Sequence, residues 1–259
     1  MNRQYLGDTI MKHAKQLIIA LVLTTAACGG GGGGTPTSPS SSTSTTSTTT
    51  TTTSGTMAIQ NFAIDLSSSP FLPTSSINVT NWPARIYPLI HIFGKTYEGR
   101  PEATLMFDLL KIGTPVYAPF DGTMQEVRDQ PETCDTEMYF NDGNNDPLNH
   151  MSYDHVRPLD KFRTRGTAFR AGEQVGTIVA WSCTESFGRI EMMVVTQASA
   201  GSSSIQARCP MSLVDPSKKA GLTALITSVM DFWNTLRADS AYTASERSNG
   251  ICATEFAPA

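Results

Sequence analysis

The sequence predicts a mostly β protein, an antiparallel sandwich or open barrel with a C-terminal helix. Three observations carry that expectation. Between Ile86 and Thr196, short apolar runs are separated by Gly, Pro, Asn and Asp and show little helical period. After Cys209 the period changes, and Leu222, Leu225, Ile226, Val229, Trp233 and Leu236 recur at helical spacing. Four cysteines, Cys134, Cys183, Cys209 and Cys252, make an even set of the kind that staples exported domains.

The first residues set an address rather than a fold. Met11 to Lys15 is a short basic segment, Leu17 to Leu23 is apolar but too short to span a bilayer, and Thr24 to Ala27 are small residues ahead of Cys28. Translation starts at Met1 or at Met11. Cleavage before Cys28 would leave a lipidated N-terminal cysteine, an arrangement that resembles a bacterial lipoprotein signal. Gly29 after that cysteine implies, by the same resemblance, the periplasmic face of the outer membrane. An ordinary secretory signal is the alternative.

Residues 29 to 56 are Gly, Ser and Thr with occasional Pro and Ala-free, and they offer nothing apolar to offset the entropy of ordering. They read as a tether with a root-mean-square reach of about 30 Å. The folded remainder divides into a β domain at 57–208 and a helical, disulfide-tied extension at 209–259. The whole chain carries a formal charge of −4, and removing three basic and one acidic leader residue makes the rest more acidic still. Without basic runs there is no electrostatic case for nucleic acid, and membrane contact is expected through the lipid anchor alone.

Within the β domain the turn chemistry orders the elements. Pro115 to Ala118, the Asp121-Gly122 turn and Thr123 to Val127 read as strand, turn and strand. Ala171 to Val179 repeats the logic, with a Gly turn leading into an alternating strand. Asp129 to Asn149, crowded with Asn, Asp, Gly and Pro, is expected to be a long surface loop. Asp215 can cap a helix that has Pro216 at its first position. The tail from Ala241 is expected to be irregular and held by Cys252. Sequence leaves three disulfide connectivities open, and order along the chain favours Cys134 with Cys183 and Cys209 with Cys252. A four-thiolate zinc site is the rival, but no pair is spaced as Cys-x-x-Cys.

Several features in order resemble the lysostaphin- and LytM-type zinc endopeptidases of peptidoglycan, a peptidase family with a duplicated hybrid motif. Ile92-Phe93-Gly94-Lys95 stands where that family has a Phe-Gly-x-Arg turn. Asp108 follows, then Gly113 to Pro119 and Asp121-Gly122-Thr123, close to the family wording. Ser152 to Val156 matches its Tyr-x-His-Leu strand, and Ala171 to Gly176 matches its Ala-Gly-x-x-Ile-Gly turn. Gly188 to Val194 falls where His-Leu-His-Phe-Glu is expected. The stretch covered runs from about Ile92 to Val195.

The resemblance implies a zinc ion held by residues 104, 108 and 191, with catalytic histidines at 155 and 189. Such a metal, with an open position for water, lowers the pKa of that water and polarises a peptide carbonyl. This sequence supplies Thr104, Asp108 and Glu191, with His155 and Arg189. Threonine is a poor zinc ligand, and a set of two carboxylates and a hydroxyl suits Ca²⁺ or Mg²⁺ better. Arg189 and Glu191, two apart on a strand, face the same way, so the guanidinium and a carboxylate can fill the vacated metal space. A shift of one residue would bring Ile190 and Met192 to those positions, and neither register restores a histidine. For His91 and His150 a structural role is expected over ligation.

The expectation is therefore a degenerate domain without a cofactor, binding wall peptide or a wall-hydrolase partner. The alternative is an active metallo-endopeptidase with a variant zinc site. A third reading starts from APFDGTM and AGEQVGTI, which also resemble turns of biotinyl and lipoyl carriers. It lacks the lysine such carriers need at a hairpin tip.

Overall fold

The computed structural model describes residues 57–73, 88–97, 99–142, 149–197, 205–237, 241–249 and 251–253. They fall within one compact unit, Ser54–Ala200 with Ser204–Ala259. The leader, Cys28 and the tether lie outside the described residues.

Thirteen strands and two α-helices are described, mostly β as expected. The strands are β1 (Ile90–His91), β2 (Thr96–Tyr97), β3 (Arg100–Pro101), β4 (Leu105–Leu110), β5 (Pro115–Tyr117), β6 (Gly122–Gln130) and β7 (Asp135–Asp142). After them come β8 (Asn149–Asp154), β9 (Val156–Pro158), β10 (Ala168–Phe169), β11 (Gln174–Ile178), β12 (Gly188–Gln197) and β13 (Ile205–Arg208). The main sheet runs β1-β4-β12-β8-β7-β6-β10, with β13 also paired to β12. Its pairings are antiparallel throughout. A second sheet, β5-β11-β9, is antiparallel too.

The core lies against one face of the main sheet. Phe107, Phe140, Tyr153, Ile190, Met192 and Val194 are fully buried there. Phe140 meets Tyr153 edge-on at 4.8 Å and Phe169 at 5.5 Å. Because side chains alternate along a strand, the neighbours of these residues point to the opposite face, and that face carries the polar groups.

Helix α1 (Pro216–Arg237) starts as expected, with Ser217 N donating to Asp215 Oδ1 at 2.8 Å. It buries Ile226, Val229, Met230 and Trp233, while Leu222, Leu225 and Leu236 pack at the margin of the core. No described helix is long and apolar enough to cross a membrane.

Two sequence expectations need correction. The segment 129–149 is not one loop: β7 occupies Asp135–Asp142, joined to β6 by a tight turn at 131–134. Thr136, Met138 and Phe140 alternate into the core, a pattern hidden by the Asp and Asn residues around them. The tail is not irregular either, since Ala244–Asn249 forms a short helix, α2. Thr243 caps it, its Oγ1 accepting from Glu246 N at 3.2 Å while Glu246 Oε2 accepts from Thr243 N at 2.7 Å. Tyr242 anchors this tail to β1, its hydroxyl accepting from Ile90 N at 2.6 Å and donating to Ile90 O at 3.0 Å.

Both disulfides pair as order along the chain favours, Cys134 with Cys183 and Cys209 with Cys252. The first joins the β6–β7 turn to the segment before β12, and the second ties the tail to the entry of α1.

Candidate functional site

Strand register brings the polar residues together. In the β4–β12 pair, Gly188 faces Leu110 and Ile190 faces Phe107, so Asp108 and Leu109 oppose the single residue Arg189. This is a β-bulge, with Leu109 in the left-handed region at φ 57. The bulge turns Asp108 toward Arg189. Gly188 is required beside it, because a Cβ there would come within 2.2 Å of the Ile178 side chain.

Asp108 is fully buried and held from two sides. Arg189 donates in bidentate fashion, Nε to Oδ1 at 2.6 Å and Nη2 to Oδ2 at 2.9 Å. His91, one strand away on β1, puts Nε2 3.0 Å from Oδ2. Burial would raise the Asp108 carboxyl, but Arg189 and His91 outweigh it and hold it down at about 2. Burial works against the Arg189 charge as well, and Asp108 outweighs it in the other direction. Trp181 covers the guanidinium, with its ring 4.6 Å away.

The third Arg189 nitrogen, Nη1, lies 3.6 Å from Glu191 Oε1. Glu191 faces Asp154 across the β12–β8 pair and reaches His155 Nε2 at 3.4 Å. That contact is too poorly aligned for a hydrogen bond, and both atoms are buried without a hydrogen-bond partner. Burial raises the Glu191 carboxyl, while His155 and Arg189 prevail and lower it.

His155 sits where the chain leaves the main sheet at the end of β8 and enters the second sheet as β9. It takes a left-handed conformation, φ 62, uncommon for a residue with a Cβ. Its carbonyl accepts from Val179 N at 3.1 Å, and its own N–H donates to Asp154 Oδ1 at 2.8 Å. The ring Nδ1 is hydrogen-bonded to Asp135 Oδ2. Burial opposes the charged imidazole, yet Asp154, Asp135 and Glu191 raise it to about 10. Asp154 itself is pushed up to about 6, by burial first, with the His155 charge opposing and the Glu191 and Asp135 charges adding to the rise.

The structure thus gathers Asp108, Arg189, Glu191 and His155 into one buried cluster. Arg189 and Glu191 do share a face, and Ile190 and Met192 lie in the core, which settles the register. The closest carboxylate partner of Arg189 is Asp108. Thr104 turns to Glu102 instead, its hydroxyl donating to Oε1 at 2.7 Å and its N–H at 3.1 Å. His91 also belongs to the cluster, as a buried hydrogen-bond partner of Asp108. His150 is four residues before Asp154 on the same strand, with Nδ1 3.0 Å from Gln125 Oε1. Asp135 was missed because it lies in the segment read as a loop. A period-two reading of Thr136, Met138 and Phe140 would have found it on the polar face.

A zinc ion at positions 104, 108 and 191 does not fit these residues. Both Asp108 oxygens accept hydrogen bonds, the Thr104 hydroxyl is turned to Glu102, and a guanidinium stands between the two carboxylates. Among the described residues, the ligand atoms that do come together belong to Asp135, Asp154 and His155, all within 4.8 Å of one another.

No protein-family model matches the chain, and no curated protein matches it. Among solved structures it is similar to the catalytic domain of the antimicrobial peptidase lysostaphin from Staphylococcus simulans. That match has 16% identity, covers 49% of this chain and 88% of that one, and gives a TM-score of 0.36. LytU matches at 14% identity over 52% of this chain and 90% of that one, TM-score 0.38. A zinc-containing peptidase from Vibrio cholerae matches at 19% over 54% and 37%, TM-score 0.35. Two further similar structures are named as M23 proteins, one from Enterococcus faecalis and one from Pseudomonas aeruginosa. The match to lysostaphin in solution spans 45% of that chain.

Proposed function

We propose that the chain is a cell-envelope lipoprotein whose LytM-like domain binds peptidoglycan peptide, or a wall-hydrolase partner, without cutting. One observation carries the reading. The buried guanidinium of Arg189 is bonded twice to Asp108 and lies 3.6 Å from Glu191, so a fixed cation stands beside both carboxylates the resemblance assigns to a metal. A second cation there would face direct repulsion at short range. Threonine in place of the first histidine, and arginine in place of a catalytic one, remove the imidazoles that the hydrolytic chemistry needs. The lipid anchor at Cys28 and the tether up to residue 56 would let the domain range over nearby wall from the outer membrane.

A second reading is an active metallo-endopeptidase with a variant site, and it rests on Asp135, Asp154 and His155. Elemental analysis of the purified full chain, release of soluble fragments from peptidoglycan with and without zinc, and co-sedimentation with sacculi decide between them. The first reading expects no stoichiometric metal, no release and retention on sacculi. Stoichiometric zinc with chelator-sensitive release would overturn it.

A further inference from the structure

Beside Val179, whose N–H donates to the His155 carbonyl, lies a cleft of about 270 Å³. Its walls include Ile112, Arg157, Thr177, Val179 and the Cys134–Cys183 disulfide. Arg157 is its one ionisable residue, so the lining is cationic in a chain of net charge −4. Arg157 on β9 and Thr177 on β11 are direct cross-strand partners, which places their side chains on one face a few ångströms apart. Val156 and Pro158 on either side of Arg157 are buried, and Arg157 itself is exposed.

The cleft also has an apolar wall. Ile112 is 51% exposed, an unusual state for a large aliphatic side chain, and it stands in the tight turn between β4 and β5. Val179 and the disulfide line the same cleft. A guanidinium fork beside a hydroxyl suits a carboxylate, and the adjoining apolar wall suits a small aliphatic group. The volume is below that of a drug-sized pocket and fits one or two residues of a peptide.

We propose that this cleft binds the free C-terminal carboxylate of a peptide ending in small apolar residues. Arg157 and Thr177 hold the carboxylate, while Ile112, Val179 and the disulfide cover the terminal side chain. The bound peptide then lies near the β8–β9 link that carries His155, since Val179 of the cleft donates its N–H to His155 O. The inference stands on this cleft alone, so a chain that fails to bind sacculi can still bind the peptide, and the reverse.

The test uses the full chain and N-acetyl-alanyl-alanine, as both the L,L and D,D forms. Its controls are the C-terminal amide and inorganic phosphate, and binding is followed by amide chemical shifts. The expected result is saturable shifts at residues 112, 157, 177 and 179 with at least one stereoisomer, and binding at least about tenfold weaker for the amide and for phosphate. Arg157→Met should weaken the acid about tenfold, and Thr177→Val less, with the fold kept because Arg157 is exposed and Thr177→Val preserves the shape of a half-buried side chain. Equal binding of acid and amide, equal binding of phosphate, shifts elsewhere, no binding, or an unaffected Arg157→Met would each overturn the proposal.

Discussion

The two halves of the buried cluster solve the same problem differently. Around Asp108 the charges are matched atom for atom, with two guanidinium nitrogens and one imidazole nitrogen on two carboxylate oxygens. Around His155 three carboxylates surround one imidazole, and His155 Nε2 and Glu191 Oε1 face each other without a hydrogen bond. The first half is closed, and the second keeps unspent polar capacity. The difference explains why Asp108 is lowered to about 2 while Asp154 rises to about 6, although desolvation raises both carboxyls. Burial favours the neutral acid in both places, and only Asp108 has a cation bonded directly to its oxygens.

The largest effect is expected in the closed half. Arg189→Met leaves Asp108 buried with His91 as its remaining described partner, and should cost about 3–5 kcal/mol in denaturant unfolding. Arg189→Met with Asp108→Leu should recover much of that loss, because a pair removed together leaves no orphaned charge. A loss below about 1 kcal/mol in the single variant would mean that water reaches Asp108, and the contrast between the halves would collapse.

Asp135→Asn tests the open half and should cost less, about 1.5–3 kcal/mol, the range for hydrogen bonds to a charged group. Its more specific readout is the titration of His155 by NMR. The raised value of about 10 depends on Asp135 together with Asp154 and Glu191, so the variant should titrate distinctly lower. An unchanged His155 titration would assign its charge to Asp154 and Glu191 alone.

The two halves should also fail at opposite ends of the pH scale. Asp108 is lowered from 3.8 to about 2, so its contribution is present above the unfolded value and is lost as pH falls through about 2. His155 is raised from 6.5 to about 10, so its contribution is complete below pH 6.5 and is lost as pH rises through about 10. Denaturation midpoints between pH 2 and 10.5 should show both flanks. In His155→Gln the alkaline flank should shrink and the acid flank remain.

How much of this was legible in the sequence depends on the signal each element leaves. The helix was readable from Asp215, Pro216 and a three-to-four spacing, and the main turns from Asp121-Gly122 and Ala171-Gly172. Strand β7 was not, because Asp135, Asn141 and Asp142 are turn formers and Glu137 adds another polar residue among the few apolar positions Met138 and Phe140. The face shared by Arg189 and Glu191 followed from period two. Their true partners did not, because the bulge at Asp108 and Leu109 shifts register by one, and His91 is brought in by a two-residue strand too short to leave a pattern. Sequence could name Asp108, His155, Arg189 and Glu191 but not Asp135 or His91, and only the register says which oxygen meets which nitrogen.

Thr104 gives the smallest and most pointed test. It occupies the first ligand position of the resembling family, yet its hydroxyl donates to Glu102, whose carboxyl is raised by burial and by Glu191. Thr104→Val removes that donor while keeping the shape and should cost about 1 kcal/mol, with Thr104→Ser close to neutral. The loss should be the same with and without a chelator, because the hydroxyl is spent on Glu102. A chelator-dependent loss would place a metal at Thr104, and the site would then belong to the open half of the cluster instead of the closed one.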